Sequence, residues 1–305
     1  EYPKPARRVQ RAIDEAYAAG YLGADILGSG FSLDVVVHLG GGAYICGEET
    51  ALLNSLEGRR GEPRLKPPFP AVEGLYAKPT IVNNVESISN IPWITTHGGA
   101  AYAAIGPERS AGTRLFSLSG HLKKPGNYEI VMGITWADLI HEIGGGRRED
   151  KAHKPWIPGG ASAPWMVPSE HLDTLVTIDD VAQQGSMLGS GAVVVMDDTT
   201  NVVAAAHSIV RFFAHESCGQ CTPCREGTSW LEDVLTRILD GRGRPEDLPL
   251  LLDVSDNISP GLTWPPAMTT ICPLGPSATA PITSIMKWFR PEVEAMIGTP
   301  EPAHA

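Results

Sequence analysis

The stretch that decides the fold is SCGQCTPCREG at residues 217–227, which carries Cys218, Cys221 and Cys224. A fourth cysteine, Cys272, lies in TTICPLG at residues 269–275. Three thiolates at regular short spacing can hold three corners of a cubane 4Fe-4S cluster, and a remote thiolate can hold the last corner. Helical patterns flank the cysteines on both sides. The sequence therefore predicts a helical bundle with cluster ligands on the loops at one end, and electron transfer is the leading hypothesis.

A structural zinc site is the first alternative for these cysteines. Such sites more often present two separated Cys-x2-Cys pairs, whereas the arrangement here is three plus one. Disulfides are disfavoured by the odd count of five cysteines and by a length of 305 residues, which can build a core without cross-links. Cys46 stands apart and is expected to be a small buried hydrophobe. The cysteines thus indicate a reducing, cytoplasmic compartment.

The composition suits a folded protein of two or three domains. Hydrophobic residues make up 42% of the chain and charged residues 19%. The net charge of −11 makes nucleic acid a poor candidate partner. The longest apolar runs, such as residues 192–196 and 202–206, are far shorter than the roughly 20 residues of a membrane span, and no signal peptide is visible. The sequence begins at Glu1 without a methionine, which raises the expectation of an N-terminally incomplete fragment.

The first hundred residues carry an α/β pattern. Helix formers run from about residue 5 to residue 19 and stop at Gly20, a plausible C-cap. The run LDVVVHL at residues 33–39 is β-branched and predicts a buried strand. Three glycines follow, and GEETALLNSLEG at residues 47–58 then predicts a helix with acidic residues in its first turn. Strand, glycine turn and helix in this order are typical of an α/β domain.

The remaining chain divides into a proline-rich loop, a β-rich region and helices. The loop spans residues 59–79, and its length without secondary structure suggests function. A helix is expected to open at Asn83 or Asn84, since both are good N-caps. Residues 113–167 then alternate strands with a short helix, in the order of a β-grasp module. The glycines of GSMLGSG at residues 185–191 lack a phosphate-binding spacing and predict a tight turn before the helical region.

Four ordered motifs carry a family resemblance. The chain resembles the NADH-oxidising flavoprotein subunit of respiratory complex I and the related diaphorase subunits of NAD-linked hydrogenases and formate dehydrogenases. The motifs are AYICGEETALLNSLEGRRGEPRLKPPFPA, IVNNVES, GSMLGSGAVVVMD and SCGQCTPCREG. The resemblance implies an α/β fold class with three parts: the C-terminal part of an FMN/NADH-binding α/β domain at 1–110, a β-grasp domain at 111–190, and a helical iron-sulfur domain at 191–300.

The resemblance also implies a reaction and partners. Hydride is expected to pass from NADH to FMN, and single electrons then pass through the 4Fe-4S cluster to a small 2Fe-2S thioredoxin-like subunit and a large iron-sulfur subunit. The family places such a protein in the cytoplasm, bound to the membrane only through its partners. The alternatives are a diaphorase serving a formate dehydrogenase or hydrogenase, and a cluster- or zinc-stabilised scaffold without flavin. The final acceptor is not encoded in the motifs.

Site residues carry over from the family at matching positions only. Tyr44, Gly47, Glu48 and Glu49 are expected to contact the flavin and nicotinamide, with Glu49 as the catalytic residue. Glycine allows close approach of a flat ring, and a carboxylate accepts hydrogen bonds from amides or hydroxyls. Lys66 and Phe69 are expected to contact NADH, and Asn83 and Asn84 to bind the FMN phosphate. Without the family, a glycine turn with first-turn acids explains residues 44–49 as well as a ligand site does. A helix cap is then the more common role for Asn83 and Asn84, and a loop staple the more common role for Phe69.

Two departures from the family pattern stand out. The glycine-rich loop and the acidic segment that begin the family's flavin site do not occur here, so FMN binding by these 305 residues alone is expected to be weak. The second departure is an apparent insertion, ISPGLTWPPAMT at residues 258–269, before Cys272. A loop insertion costs little when its ends stay in place, so Cys272 remains the expected fourth ligand.

Overall fold

The computed structural model describes residues 2–149 and 151–297. It is a mixed α/β structure that divides into two compact units, Glu1–Ile81 and Val82–Ala305. Within the described ranges, no helix is long and apolar enough to cross a lipid bilayer.

The first unit contains two helices joined by long irregular segments. Helix α1 spans Pro3–Ala18 and helix α2 spans Glu49–Leu56. The predicted end of α1 is confirmed, because Gly20 follows the C-cap residue with a left-handed φ of +74°. The predicted helix after the glycine turn is confirmed as α2. Short 3-10 turns at Ile26–Gly28, Tyr44–Gly47 and Leu75–Ala77 shape the connecting segments.

The buried strand predicted at residues 33–39 is wrong. This run is extended but mostly exposed, with 82% of Val36 and 74% of Leu39 accessible to solvent. Its one ladder contact is an isolated antiparallel bridge between Gly23 and Leu33, and the described residues supply no neighbouring strand. β-branched residues favour an extended backbone, but a strand also needs a partner for its N–H and C=O groups. The sequence pattern reports the first requirement and not the second.

The second unit opens with short helices. They are α3 at Val85–Ser89, α4 at Ile91–His97 and α5 at Gly99–Ala103. The expected N-cap is confirmed: the Asn84 side chain accepts a hydrogen bond from the Glu86 backbone N–H at 2.8 Å.

A four-stranded sheet follows, in the order β2-β1-β4-β3. The strands are β1 (Thr113–Gly120), β2 (Gly126–Val131), β3 (His153–Ile157) and β4 (Ala192–Asp197). Strand β1 pairs antiparallel with β2 and parallel with β4, so that the last strand enters the middle of the sheet. A π-helical turn at Asp138–Ile143 and two short helices, α6 (Pro168–His171) and α7 (Ile178–Gln183), connect the strands. Phe116, Trp136 and Trp156 are fully buried at the centre of its core.

The glycine segment before β4 forms a tight turn, as its composition predicts. Gly185, Gly189 and Gly191 all have positive φ angles. A Cβ atom on Gly189 would lie 2.1 Å from the carbonyl oxygen of Gly159, so no other residue fits there. Ser117 N–H donates to the Gly191 carbonyl at 2.9 Å, which ties the turn to β1.

Within the described residues, five helices after β4 form a bundle. They are α8 (Val202–Glu216), α9 (Thr222–Leu239), α10 (Asp247–Ile258), α11 (Leu274–Trp288) and α12 (Arg290–Met296). Leu231, Leu251 and Ile282, on three different helices, are completely buried in one shared core. Because apolar faces of α9, α10 and α11 meet there, the loops at one end of the bundle are fixed in position. Those loops carry the cysteines.

Candidate functional site

The loop between α8 and α9 presents the first three cysteines. Cys221 is the N-cap residue of α9, and its carbonyl accepts the Arg225 backbone N–H at 2.9 Å. Gly219 turns the loop with a φ of +81°, and the Arg225 guanidinium donates to the Gly219 carbonyl at 2.9 Å. These bonds fold the Cys-x2-Cys-x2-Cys run into a compact turn. Cys224 therefore lies in the first turn of α9 while Cys218 and Cys221 lie before it.

The fourth cysteine reaches the same place from the segment before α11. Cys272 and Cys224 are buried, with 8% and 7% of their surface exposed, whereas Cys218 and Cys221 are half-buried. Burial raises the pKa of Cys272 to about 11, and the charges of Cys218, Cys224 and Cys221 also act on it. Contacts between the two segments show the same proximity: the Ile271 backbone N–H, next to Cys272, lies 3.3 Å from Cys221 Sγ, and a Cβ atom on Gly275 would lie 3.2 Å from Cys224 Cβ. The structure thus brings together all four residues predicted as metal ligands, and none of the five cysteines is in a disulfide.

Hydrogen-bond donors point at the sulfur atoms. The Ile271 backbone N–H donates to Cys221 Sγ at 3.3 Å, and Ser217 Oγ lies 3.4 Å from Cys224 Sγ. A backbone hydrogen bond from Leu274 opposes the raised pKa of Cys272. Burial likewise raises the pKa of Cys224, opposed by the hydrogen bond with Ser217. Donors to sulfur stabilise thiolates and tune the reduction potential of an iron-sulfur cluster.

Neighbouring residues hold the backbone of the two buried cysteines. Thr228 Oγ1 donates to the Cys224 carbonyl at 2.7 Å, and Thr270 Oγ1 donates to the Cys272 carbonyl at 2.7 Å. Gly275 allows α11 to pass close by, since a Cβ atom there would lie 3.2 Å from Cys224 Cβ. Cysteine spacing did not reveal these supporting residues, although a glycine and two threonines beside the ligands are visible in the sequence.

The donor set of this site is four thiols on two segments. Among residues 2–149 and 151–297, no group of three or more His, Cys, Asp or Glu side chains has the geometry of a site for one metal ion. Soft thiolates with N–H donors at their sulfurs are the ligands that iron-sulfur clusters take.

The first unit carries six of the residues predicted to contact NADH and FMN: Tyr44, Gly47, Glu48, Glu49, Lys66 and Phe69. Glu48 is the N-cap of α2, and its carboxylate accepts the backbone N–H groups of Thr50 and Ala51, each at 2.8 Å. Lys66 Nζ forms an ion pair with Glu49 at 2.7 Å and lies 3.8 Å from Glu48. The hydrogen bond with Glu49 raises the pKa of Lys66. Three of the predicted residues therefore form one charged group at the start of α2.

Next to this group the surface is open and aromatic. Phe69 is 58% exposed and Tyr44 is 47% exposed. A Cβ atom built on Gly47 would meet no atom within 4 Å. Exposed rings, an uncovered glycine and a carboxylate paired with a lysine are suited to a flat ligand that carries hydrogen-bonding groups. The residues present therefore fit part of a flavin and nicotinamide site.

Arg64 holds the proline-rich loop and was not expected to have this role. Its guanidinium donates to Asn54 Oδ1 at 2.8 Å and to the Gly74 carbonyl at 3.1 Å, and it pairs with Glu57 at 2.9 Å. The hydrogen bond from Arg64 lowers the pKa of Glu57. Arg64 thus ties α2 to the loop that carries Phe69, and a bare sequence gives no signal of such long-range pairing.

The structure also places Cys46, which was predicted to be a small buried hydrophobe, and the two asparagines predicted to bind the FMN phosphate. Cys46 is half-buried beneath the loop after α2, where a Cβ atom on Gly61 would lie 2.4 Å from its sulfur. In the second unit, Asn83 is exposed, and Asn84 uses its carbonyl oxygen to cap α3. The amide group of Asn84 is not used by that cap.

Three protein-family models match the chain. Residues 1–93 match the Nuo51 FMN-binding domain, residues 114–195 match the SLBB domain, and residues 204–296 match the NADH-ubiquinone oxidoreductase-F iron-sulfur binding region. The last match contains all four clustered cysteines.

Curated relatives are F subunits of NADH-quinone oxidoreductases. The F subunit of the Streptomyces coelicolor enzyme is 52% identical over 291 residues, which cover 95% of this chain and 63% of the relative. A Rhizobium meliloti F subunit, the one numbered 2, is 49% identical over 297 residues, covering 97% of this chain and 68% of the relative. The chain belongs to this family of NADH-quinone oxidoreductase F subunits, which confirms the resemblance seen in its motifs. It spans less than two thirds of the length of the Streptomyces relative.

A solved structure shares the fold. The structure of an NAD+-reducing nickel-iron hydrogenase in the H2-reduced state superposes with a TM-score of 0.79 at 32% identity. The match covers 89% of this chain and 44% of the hydrogenase chain. The mixed α/β architecture with a four-stranded sheet and helices is therefore similar to that of a known NAD-linked enzyme.

Proposed function

We propose that this chain is part of an NADH dehydrogenase flavoprotein subunit that transfers electrons from NADH to partner subunits. The observation that carries the proposal is that the loop with Cys218, Cys221 and Cys224 lies against the segment with Cys272 at one end of the bundle. When bound, FMN accepts hydride from NADH, and a 4Fe-4S cluster passes electrons one at a time. Membership in the F-subunit family supports the same interpretation.

The chain's own residues then have distinct tasks. Cys218, Cys221, Cys224 and Cys272 hold the cluster as thiolates. Burial of Cys224 and Cys272 disfavours the bare thiolate, so ligation to iron supplies the compensating charge. The N–H groups of Ile271 and Leu274 stabilise negative charge on sulfur. The shared core of the bundle would hold the two cysteine segments at a fixed distance from each other when a cluster is bound.

In the first unit, Phe69 stacks on the nicotinamide or adenine ring of NADH, and Lys66 contacts its polar groups. Glu49, paired with Lys66, is the proposed catalytic residue that orients the nicotinamide amide or ribose. Gly47 and Tyr44 border the flavin ring. The Glu48 carboxylate caps α2 and pairs loosely with Lys66, so it positions Lys66 and Glu49. In the second unit, Asn83 and Asn84 at the start of α3 are the residues that would bind the FMN phosphate, because a helix N-terminus offers free N–H donors.

The domain organisation follows the same proposal. Residues 1–110 form the C-terminal part of the FMN/NADH-binding α/β domain, 111–190 a β-grasp domain, and 191–300 the helical iron-sulfur domain. The family-model matches at 1–93, 114–195 and 204–296 support three parts in this order. Strand β4, at Ala192–Asp197, pairs with β1 and β3 and so extends the sheet beyond residue 190.

The proposed partners are a small 2Fe-2S thioredoxin-like subunit and a large iron-sulfur subunit. A second candidate function is that of diaphorase for a hydrogenase. The similarity to the NAD+-reducing nickel-iron hydrogenase favours this alternative. The curated relatives at 49–52% identity favour the quinone-linked complex over it.

Iron content tests the proposal directly. The intact protein, purified without oxygen, is expected to be brown and to contain about four irons per chain. Cys221→Ser should lose most of the iron and the visible absorption, because one iron of the cluster then lacks its thiolate ligand. Cys46→Ser is the matched control: Cys46 is also half-buried but lies outside the group, so iron content should not change. One equivalent of zinc without iron would overturn the redox proposal in favour of a zinc-stabilised scaffold.

A further inference from the structure

A cavity of about 200 Å³ lies in the second unit, and the residues that line it include none of the cysteines and none of the residues predicted to bind NADH or FMN. Its walls come from four places: the loop after β3, the end of α7, the segment between α10 and α11, and α11 itself. The segment between α10 and α11 contains the apparent insertion at residues 258–269. Three tryptophans line the cavity: Trp165, Trp264 and Trp288.

Two of the three indole walls are held in place by contacts with neighbouring residues. Trp165 is buried, and its backbone N–H donates to Ser284 Oγ on α11 at 2.9 Å. The Trp288 ring packs edge-on against His171, with ring centroids 5.5 Å apart. Trp264 is half-buried on the connecting segment. Fixed aromatic surfaces bind a flat ring at low entropic cost.

The polar groups of the cavity select for charge. The cavity has 15 lining residues, all in the described part of the chain. Lys287 is the one charged residue among them, and none of the 15 is an aspartate or a glutamate. Lys287 Nζ lies 4.1 Å from the centroid of the Trp288 ring. The chain has a net charge of −11, so an anion needs a local positive group in order to bind. In this cavity that group is Lys287, beside an aromatic surface.

We propose that this cavity binds a small aromatic carboxylate, with its ring against the indoles and its carboxylate at Lys287. The volume is below the roughly 300–1,000 Å³ of sites for drug-sized ligands, which restricts the occupant to one ring with short substituents. The site goes beyond the proposed electron-transfer function and does not depend on it. The cavity exists because residues of the segment at 258–269 and residues of α11 both line it.

Benzoate is the probe. Calorimetry on the intact purified protein should show saturable binding with a dissociation constant on the order of a millimolar or tighter, as the number of non-hydrogen atoms allows. Benzyl alcohol, which has the ring without the charge, and cyclohexanecarboxylate, which has the charge without the aromatic ring, should each bind at least about fivefold more weakly. Absence of saturable benzoate binding up to tens of millimolar, or equal binding of benzyl alcohol, overturns the proposal.

Variants locate the binding to this cavity. Trp264→Ala should weaken benzoate binding about fivefold or more, and Trp264→Phe should retain most of it. Lys287→Gln, on an exposed side chain, should remove the preference for benzoate over benzyl alcohol without disturbing the fold. Trp230→Ala is the matched control, because Trp230 is 57% exposed on α9 outside the cavity. Wild-type affinity in both Trp264→Ala and Lys287→Gln places the binding elsewhere and contradicts the proposal.

Discussion

Phe69 presents more than half of its ring to solvent, on a loop where prolines precede and follow it. A ring fixed in this way loses little entropy when it stacks on a nucleotide. In the intact flavin-containing protein, we expect Phe69→Ala to lower kcat/KM for NADH by about tenfold, because a lost aromatic stack is worth about 1 kcal/mol or more. NADH-ferricyanide assays measure the effect.

Flavin content separates a contact from a structural role for Phe69. The amount of FMN per chain should stay the same in Phe69→Ala, and loss of FMN in parallel with activity would show that the ring supports the fold. Tyr21→Ala is the control substitution. Tyr21 is 60% exposed, close to the 58% of Phe69, and lies in the same unit outside the predicted site.

Cys272 offers a prediction about pH. Burial raises its pKa to about 11, so in the metal-free protein only a small fraction is thiolate at pH 8. Because the thiolate is the nucleophile, the rate of its alkylation should rise about tenfold per pH unit between pH 8 and pH 10. Mass spectrometry of the peptide containing Cys272 after iodoacetamide pulses measures this rate. In urea the rate should level off near pH 9, and a plateau at the same pH in the folded protein would contradict the burial argument.

The sign of the stability effect follows from the same pKa. A thiol whose folded-state pKa is raised stabilises the metal-free fold below its unfolded pKa. That contribution is lost as pH rises through the range from about 9 to about 11. When iron is bound, the thiolate is favoured over the protonated thiol, since ligation requires the thiolate. The buried pair Cys224 and Cys272 therefore couples the stability of the bundle end to metal occupancy.

At the scale of elements, the contact between α9 and α10 depends on Gly227. A Cβ atom there would lie 2.7 Å from Ile258 Cδ1, and Ile258 is fully buried. Alanine favours helix by about 1 kcal/mol over glycine, but overpacking a core costs about 1–3 kcal/mol. We expect Gly227→Ala to lower the free energy of unfolding by about 1 kcal/mol, measured by urea denaturation.

Gly99→Ala is the control for this substitution. Gly99 begins α5, and a Cβ atom built on it meets nothing within 4 Å. Its replacement should leave stability unchanged or raise it slightly. If Gly227→Ala is as stable as Gly99→Ala, then Ile258 moves aside and α9 and α10 are not held at a fixed distance.

Local signals predicted the elements that depend on local chemistry. The end of α1 at Gly20, the cap of α3 at Asn84 and strand β1 at residues 113–120 were all predictable, because caps and alternation act within a few residues. The run at 33–39 was not, since pairing depends on a neighbour that the pattern does not contain. The place of β4 between β1 and β3 is likewise set by contacts distant in sequence.

The site shows the same division. Cysteine spacing predicted four ligands, and the fold brings their thiols together, because metal chemistry restricts both residue type and spacing. The cap made by Glu48 and the anchoring of the loop by Arg64 could not be predicted. Each depends on which of several donors lies opposite the side chain after folding. Family resemblance named Glu48 as a ligand contact, and the structure adds its bonds to the α2 backbone.

At the scale of the whole molecule, the residues predicted to contact FMN lie on an open surface. Tyr44 is 47% exposed, and no atom stands over Gly47. Sites for ligands of this size usually bury about 70–90% of the ligand surface. A ligand covered on one side loses apolar contact and hydrogen bonds. The chain, for its part, spans 63% of the Streptomyces coelicolor relative.

We therefore expect the 305 residues alone to bind FMN weakly and to show no NADH-ferricyanide activity. Joining them to the part of the Streptomyces coelicolor relative that they do not match should restore both. Gel filtration followed by flavin fluorescence measures retained FMN, and the complete relative serves as the positive control. The iron content of the two proteins should be equal, because all four thiols lie within the 305 residues and are held by the bundle. Stoichiometric FMN on the 305-residue chain would contradict this expectation, since the surface around Tyr44 and Gly47 would then have to close over the ring by itself.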